Sequence, residues 1–236
     1  MSAAETPRVT AVIADLVGSR TLPDRAGAHE QVLTAWSRAH TQVLGPDTAS
    51  TPPWATVGDE FQAVYPDLPT ALRALLRLML SLEDPVRLRF GLGLGTVTTL
   101  DHGEAGPIQD GDAWWAARAA IEAGRDRDRH GAVLEIRAAQ GAAVPADRDG
   151  MDTGGVGAAG IGSAAARLLE HIVAQMRPRA RRILRAALDG TVQTEIADAE
   201  GISQSAVSQS LTRSGGRALL DVDHLLTAPT TEGEPA

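Results

Sequence analysis

VTAVIADLVGSR, residues 9–20, is the stretch on which the fold turns. It opens as an apolar run interrupted by one carboxylate, Asp15, and then breaks into Gly18, Ser19 and Arg20. Val, Ile and Leu at this density read as a buried strand. An unpaired carboxylate inside such a strand is costly. At the strand's exit, ahead of a glycine-bearing turn, it stands where ligands commonly bind in mixed α/β folds. It equally suits a cap on the following turn, so the neighbouring segments must decide between the two.

Working outward, Asp24 predicts a helix cap, with a helix running to about Leu44 and carrying Val32, Leu33, Trp36 and Val43 on its apolar face. Residues 45–53 read as a loop. Residues 54–57 and 61–65 read as two strands around a Gly58-Asp59 hairpin turn. Pro66 and Pro69 end the second strand and start a leucine-rich helix that Pro85 stops. Residues 86–98 alternate, with Val86, Leu88, Phe90, Leu92 and Leu94 on one face and Arg87 and Arg89 on the other. Gly91, Gly93 and Gly95 permit close backbone approach in that strand. A loop over 101–112, a helix over 113–123 and a strand over 133–138 follow. The order βαββαβ, then αβ, predicts an α+β fold with helices covering a mostly antiparallel sheet.

All 22 basic residues are Arg, there is no Cys, and the net charge is −8. A thiolate metal site and a disulfide framework are therefore excluded, and general coating of nucleic acid is disfavoured. The absence of any apolar run near 20 residues, and of a signal-like start, predicts a cytoplasmic protein with no membrane partner. Between residues 171 and 217 the balance reverses to net positive.

Residues 141–162, rich in Gly, Ala and Asp, read as a flexible linker between a first domain, 1–140, and a second, 163–226. Residues 227–236 read as a disordered tail. The second domain opens with a connecting helix, 163–176, and a helix from Pro178. Thr194 is then expected to cap a short helix, Gly201 to make a turn, and Ser203 to cap a third helix. Ile196, Ile202, Val207 and Leu211 would face inward. This spacing reads as an all-α helix-turn-helix domain, with DNA as the partner of Thr194, Ser203, Gln204, Ser205, Ser208, Gln209 and Arg213. One such module makes few contacts, which favours a homodimer on a palindromic site.

In the first domain the hairpin turn is expected to bring Asp59 beside Asp15. Two carboxylates at neighbouring strand ends suit Mg2+ or Mn2+. The turn Leu16, Val17, Gly18, Ser19 and Arg20 is expected to hold the phosphates of a nucleotide. Arg118 is placed to neutralise transferring phosphate charge, as a catalytic group.

IADLVGSR, VGDEF, RFGLGLGTV and GDAWWAAR, in this order, resemble the class III nucleotidyl cyclase domain, a relative of GGDEF and polymerase palm domains. Together with the C-terminal pattern they resemble the SatD family. The resemblance implies a ferredoxin-like or palm domain in which Asp15 and Asp59 are metal ligands and Arg118 stabilises the transition state. It also implies an asparagine at position 114 and a base-reading lysine at position 55, where this chain has Trp114 and Ala55. The chain therefore reads as a DNA-binding transcription regulator whose cyclase-like domain binds a nucleotide and a divalent metal. The alternatives are a metal-dependent nucleotidyl cyclase or transferase with an appended helix-turn-helix, and a non-enzymatic interaction adaptor.

Overall fold

Along β1 (Val9–Leu16) every residue after Val9 is buried, as expected of a strand with neighbours on both sides and helices on both faces. The computed structural model describes residues 7–46, 48, 50–56, 58–103, 106–127, 134–139 and 158–227, and the chain divides into two compact units, Met1–His171 and Ile172–Ala236.

The first unit is built on a five-stranded sheet. It contains β2 (Trp54–Ala55), β3 (Glu60–Tyr65), β4 (Leu88–Gly95) and β7 (Leu134–Ala138), in the order β2-β3-β1-β4-β7. β1 runs antiparallel to β3 and β4, and only β7 lies parallel to its neighbour. The mostly antiparallel α+β sheet expected from the element order is present.

Phe61 and Tyr65 of β3 and Phe90 of β4 share one face with α1 (Arg25–Leu44), and α2 (Leu68–Ser81) packs beside α1 there. Trp36 of α1, fully buried, meets Phe90 edge to face at 6.4 Å and donates its indole N–H to the Tyr65 hydroxyl at 2.8 Å. A fully buried side chain of this size contributes about 3 kcal/mol by its apolar area. Both helices begin on aspartate caps. The Asp24 side chain accepts from the Gly27 amide and Asp67 from the Thr70 amide.

The opposite face carries α3 (Asp112–Arg127), packed on β4 through the glycines singled out from the sequence. A Cβ on Gly93 would sit 1.9 Å from the Ala113 carbonyl oxygen, and one on Gly91 would sit 2.4 Å from that of Ala117. Helix backbone thus lies directly on strand backbone, with Ala113, Ala117 and Ile121 closing over Ala11 and Ile13. Asp112 fixes the start of α3 by accepting from the Thr96 amide at 2.5 Å and hydroxyl at 3.0 Å. Those bonds hold its carboxyl below the usual carboxylate range.

At the sheet edge, the Ser163 hydroxyl of α4 (Ala158–Gln175) bonds both the amide and the carbonyl of Ile136 in β7 at 3.1 Å. It satisfies main-chain groups an exposed edge would leave open.

Two expectations for this unit change. Residues 101–112 are not a loop. Most of them belong to a two-stranded antiparallel ribbon of β5 (Thr98–Gly103) and β6 (Gly106–Asp110), followed by the start of α3. The ribbon is solvated and lacks apolar alternation, so periodicity does not register it. The connecting helix starts at Ala158, so residues 158–162 of the expected linker are helical. The remainder of that linker, Val57 and the segment 228–236 lie outside the described residues.

The second unit contains α5 (Pro178–Leu188), α6 (Gln193–Glu200), α7 (Gln204–Arg213) and α8 (Gly216–Thr227) around Ile183, Leu184, Ile196, Ala197, Val207, Leu211 and Leu219. The last of these helices was not anticipated. Gly201 is left-handed at φ 64°, and the Ile202 amide reaches back to the Ala197 carbonyl at 3.0 Å. Ser203 caps α7, its hydroxyl accepting from the Ala206 amide at 3.2 Å. Thr194 is not a cap: α6 starts two residues earlier than a cap there would set, with Val192 at the N-cap position and Thr194 exposed in the first turn.

Candidate functional site

Strand register alone sets three charged residues side by side. Asp15 at the end of β1 is directly opposite Glu60 of β3 on one side and Arg89 of β4 on the other. All three project to the face covered by α3, because Gly91, Gly93 and Gly95 of β4 meet that helix and Arg89 shares their parity. The row Glu60–Asp15–Arg89 therefore lies under α3.

α3 answers it with two arginines seven residues apart, hence on one side of the helix. Arg118 takes both oxygens of Glu60, Nη1 to Oε2 at 2.5 Å and Nη2 to Oε1 at 2.8 Å. Arg125 donates to Asp15 Oδ2 from Nη2 at 2.7 Å and from Nε at 3.1 Å. From below, Arg89 Nη1 lies 3.1 Å from Oδ1 and 3.3 Å from Oδ2 of the same carboxylate. The Asp15 and Arg89 side chains are only 7% and 11% exposed, whereas Arg118 and Arg125 are 42% and 50% exposed. The buried half of the site is thus held from inside and the arginines of α3 face solvent.

Burial pushes the Glu60 carboxyl up. The Arg118 hydrogen bonds and charge, with hydrogen bonds from Gln62 and Thr56, outweigh that and hold it below the usual glutamate range. The Glu60 hydrogen bond in turn raises Arg118, with smaller contributions from the charges of Glu122 and Asp15.

The structure brings some of the expected site residues together. Asp59 lies in the hairpin turn, and the contact it makes with β1 is a main-chain one, its carbonyl accepting from the Leu16 amide at 3.3 Å. Gly18 takes the left-handed conformation at φ 66° and leads into a single 3-10 turn, Ser19–Thr21, where Ser19 is buried. Of the five amides expected to cradle phosphates, that of Leu16 is spent on Asp59 and that of Val17 on the Arg87 carbonyl at 2.9 Å. Gly18 and Arg20 remain as the exposed part of the turn. The partners of Asp15 and Arg118, namely Arg89, Arg125 and Glu60, were not foreseen as site residues. The signal for Arg125 was its heptad spacing from Arg118.

As folded, the row does not fit a divalent ion. Both oxygens of Asp15 are engaged by guanidinium groups, and both oxygens of Glu60 by Arg118. Among the described residues no three His, Asp or Glu side chains gather where they could hold a metal.

In the second unit, Gln204, Ser205, Gln209 and Arg213 are exposed on α7, Ser203 is exposed at its cap, and Ser208 is half-buried and accepts from Arg217 at 3.4 Å. Arg182 of α5 grips Glu200 at 2.7 and 2.8 Å, with Arg179 at 3.5 Å, which holds the Glu200 carboxyl below its usual range.

The profile of the SatD family matches residues 9–143, which spans every strand of the sheet and the whole charged row. The chain belongs to the SatD family. A search of curated proteins gives no match. Among solved structures, this SatD chain resembles a bacterial light-regulated adenylyl cyclase at 17% identity and a TM-score of 0.39, over 56% of this chain and 76% of the other. It also resembles the guanylate cyclase domain of RhGC from Catenaria anguillulae in complex with GTP, at 17% identity and a TM-score of 0.36, over 51% and 75%. A third is the guanylyl cyclase Cya2, at 15% identity and a TM-score of 0.34, over 50% and 71%. In this SatD chain no helix among the described residues is long and apolar enough to cross a membrane.

Proposed function

We propose that this SatD protein is a DNA-binding transcription regulator whose sheet unit binds a phosphorylated ligand of the nucleotide class. The observation that carries the DNA reading is the geometry of α6, the Gly201 turn and α7. Ile196, Ala197, Val207 and Leu211 are buried, which fixes the two helices against each other. Ser203 anchors the start of α7, and Gln204, Ser205, Gln209 and Arg213 are left facing solvent. A helix held in this way, with amide, hydroxyl and guanidinium side chains outward, suits the major groove, and a helix-turn-helix homodimer would supply two such helices.

The ligand reading rests on Arg118 and Arg125, whose guanidinium groups stand half exposed over Glu60 and Asp15. Binding without turnover is favoured over the cyclase alternative by Trp114. This residue stands where the family resemblance expects an asparagine. It is buried, packing edge to face on Trp54 at 6.1 Å, and so is spent on the core.

Full-length protein titrated onto fluorescent genomic DNA fragments tests the DNA reading. Arg213→Ala is expected to weaken binding across sequences and to lower the salt slope by about 1. Gln204→Ala is expected to relax sequence preference. Unchanged retention in both variants at moderate salt would refute DNA binding. Calorimetry with each nucleoside triphosphate tests the ligand, with Arg118→Ala expected to abolish the heat. Release of pyrophosphate would instead make the chain an enzyme.

A further inference from the structure

We infer that Arg125, backed by Arg89, is the resident cation of the Asp15 carboxylate, and that this SatD chain fills with guanidinium the place where a divalent ion would otherwise sit. A carboxylate as buried as Asp15 must be paired or hydrogen-bonded to remain charged. Here the pairing comes from within the chain and uses both oxygens. Oδ2 accepts from Arg125 Nη2 at 2.7 Å and Nε at 3.1 Å, and Oδ1 accepts from Arg89 at 3.1 Å.

The neighbouring carboxylate is equally committed, since Arg118 takes Glu60 through two parallel bonds. Mg2+ needs near-octahedral oxygen ligands and gives up its waters reluctantly. Guanidinium is planar, weakly hydrated and always charged, so it is the better cation for a pocket roofed by a helix. α3 lies against β4 with its backbone on Gly91 and Gly93, which brings Arg125 within reach of Asp15.

Two consequences follow. A metal can enter only if Arg125, the more exposed of the two arginines on Asp15, swings out. Anionic ligands meet the solvent side of Arg118 and Arg125 directly, and require no bridging ion.

Mn2+ alone is the probe, with the full chain and the electron paramagnetic resonance of free Mn2+ as the readout. Wild type is expected to leave the free-ion signal unchanged. Arg125→Gln, shown folded by near-ultraviolet dichroism, removes the shortest donor from Asp15 Oδ2 while Arg89 stays on Oδ1, and is expected to lower the free-ion signal. Adding Asp15→Asn to that variant is expected to restore the signal. Arg125→Lys keeps a cation on Asp15 and is expected to take up no Mn2+. Uptake by wild type that Asp15→Asn abolishes overturns the inference without recourse to the Arg125 variants. Equal behaviour of the glutamine and lysine variants overturns the assignment to the charge of Arg125.

Discussion

Arg125 and Asp15, 110 residues apart in the chain, meet at 2.7 Å, and that contact ties the far half of α3 to the end of the central strand. Its two partners are not equivalent, because Asp15 is buried and Arg125 is half exposed. Asp15→Ala removes the buried carboxylate that Arg89 and Arg125 share and is expected to cost about 3–5 kcal/mol, the usual effect of removing one partner of a buried pair. Arg125→Ala leaves Asp15 still paired with Arg89 and is expected to cost about 1 kcal/mol or less. Urea unfolding of both variants checks this. Equal losses would show that Arg89 does not hold Asp15 by itself.

The glycines of β4 give a second test. Gly93→Ala drives a methyl into the Ala113 carbonyl and the Ala117 amide, main-chain atoms that cannot step aside, so α3 must lift from the sheet. A loss of about 3 kcal/mol is expected, at the upper end for overpacking. Gly58→Ala, in the same unit, meets nothing within 4 Å and suffers only its φ of +89°, which costs about 1 kcal/mol. Denaturant midpoints of the two variants measure the difference, and a Gly93→Ala midpoint above that of Gly58→Ala would contradict the packing described.

Glu60 makes stability depend on pH in a definite direction. Its folded value is depressed below the ordinary 4.5, so its stabilisation is fully present above that value and is lost as pH falls through the folded value. Asp112 and Glu200 are depressed too and titrate in the same acid range. The discriminating measurement is therefore the difference between wild type and Glu60→Gln. That difference is expected to shrink as pH falls below 4.5 and to amount to no more than about 1 kcal/mol at neutral pH, because its partner Arg118 is half open to solvent.

Tyr65 is the sole tyrosine of the chain and reports on the core beneath α1. Burial raises its phenol well above the ordinary value, and the Trp36 hydrogen bond only partly opposes this. A raised folded value means stability present below pH 10 and lost as pH climbs beyond it. Phenolate absorbance is expected to appear only as the sheet unit unfolds. Tyr65→Phe removes the acceptor of a buried indole N–H and is expected to cost about 1–3 kcal/mol. A phenolate that forms reversibly in folded protein would contradict the buried placement.

Much of the fold was legible because its signals are local. Asp24 and Ser203 are caps by side-chain chemistry, Gly201 is a turn because only glycine takes its φ cheaply, and β4 alternates because a sheet side chain points up or down. The β5–β6 ribbon was not legible, since it is largely solvated and its large apolar residues, Leu100 and Ile108, are isolated and do not alternate. Thr194 misled for a related reason: a threonine in the first turn of a helix resembles one just before it, and helix starts shift by one or two residues without changing the pattern.

For the site, the sequence by itself determined that a carboxylate ends the first strand, that Gly18 follows it, that glycines line β4 and that α3 carries Arg118. Each of these is a matter of period or of a single residue's backbone freedom. Only the tertiary structure decided what the carboxylate is for. Register set Asp15 between Glu60 and Arg89, and the glycine contact of β4 with α3 brought Arg125 within hydrogen-bonding reach. A buried charge takes its partner from whatever cation the packing delivers, and that choice depends on contacts 74 and 110 residues away that no local pattern encodes.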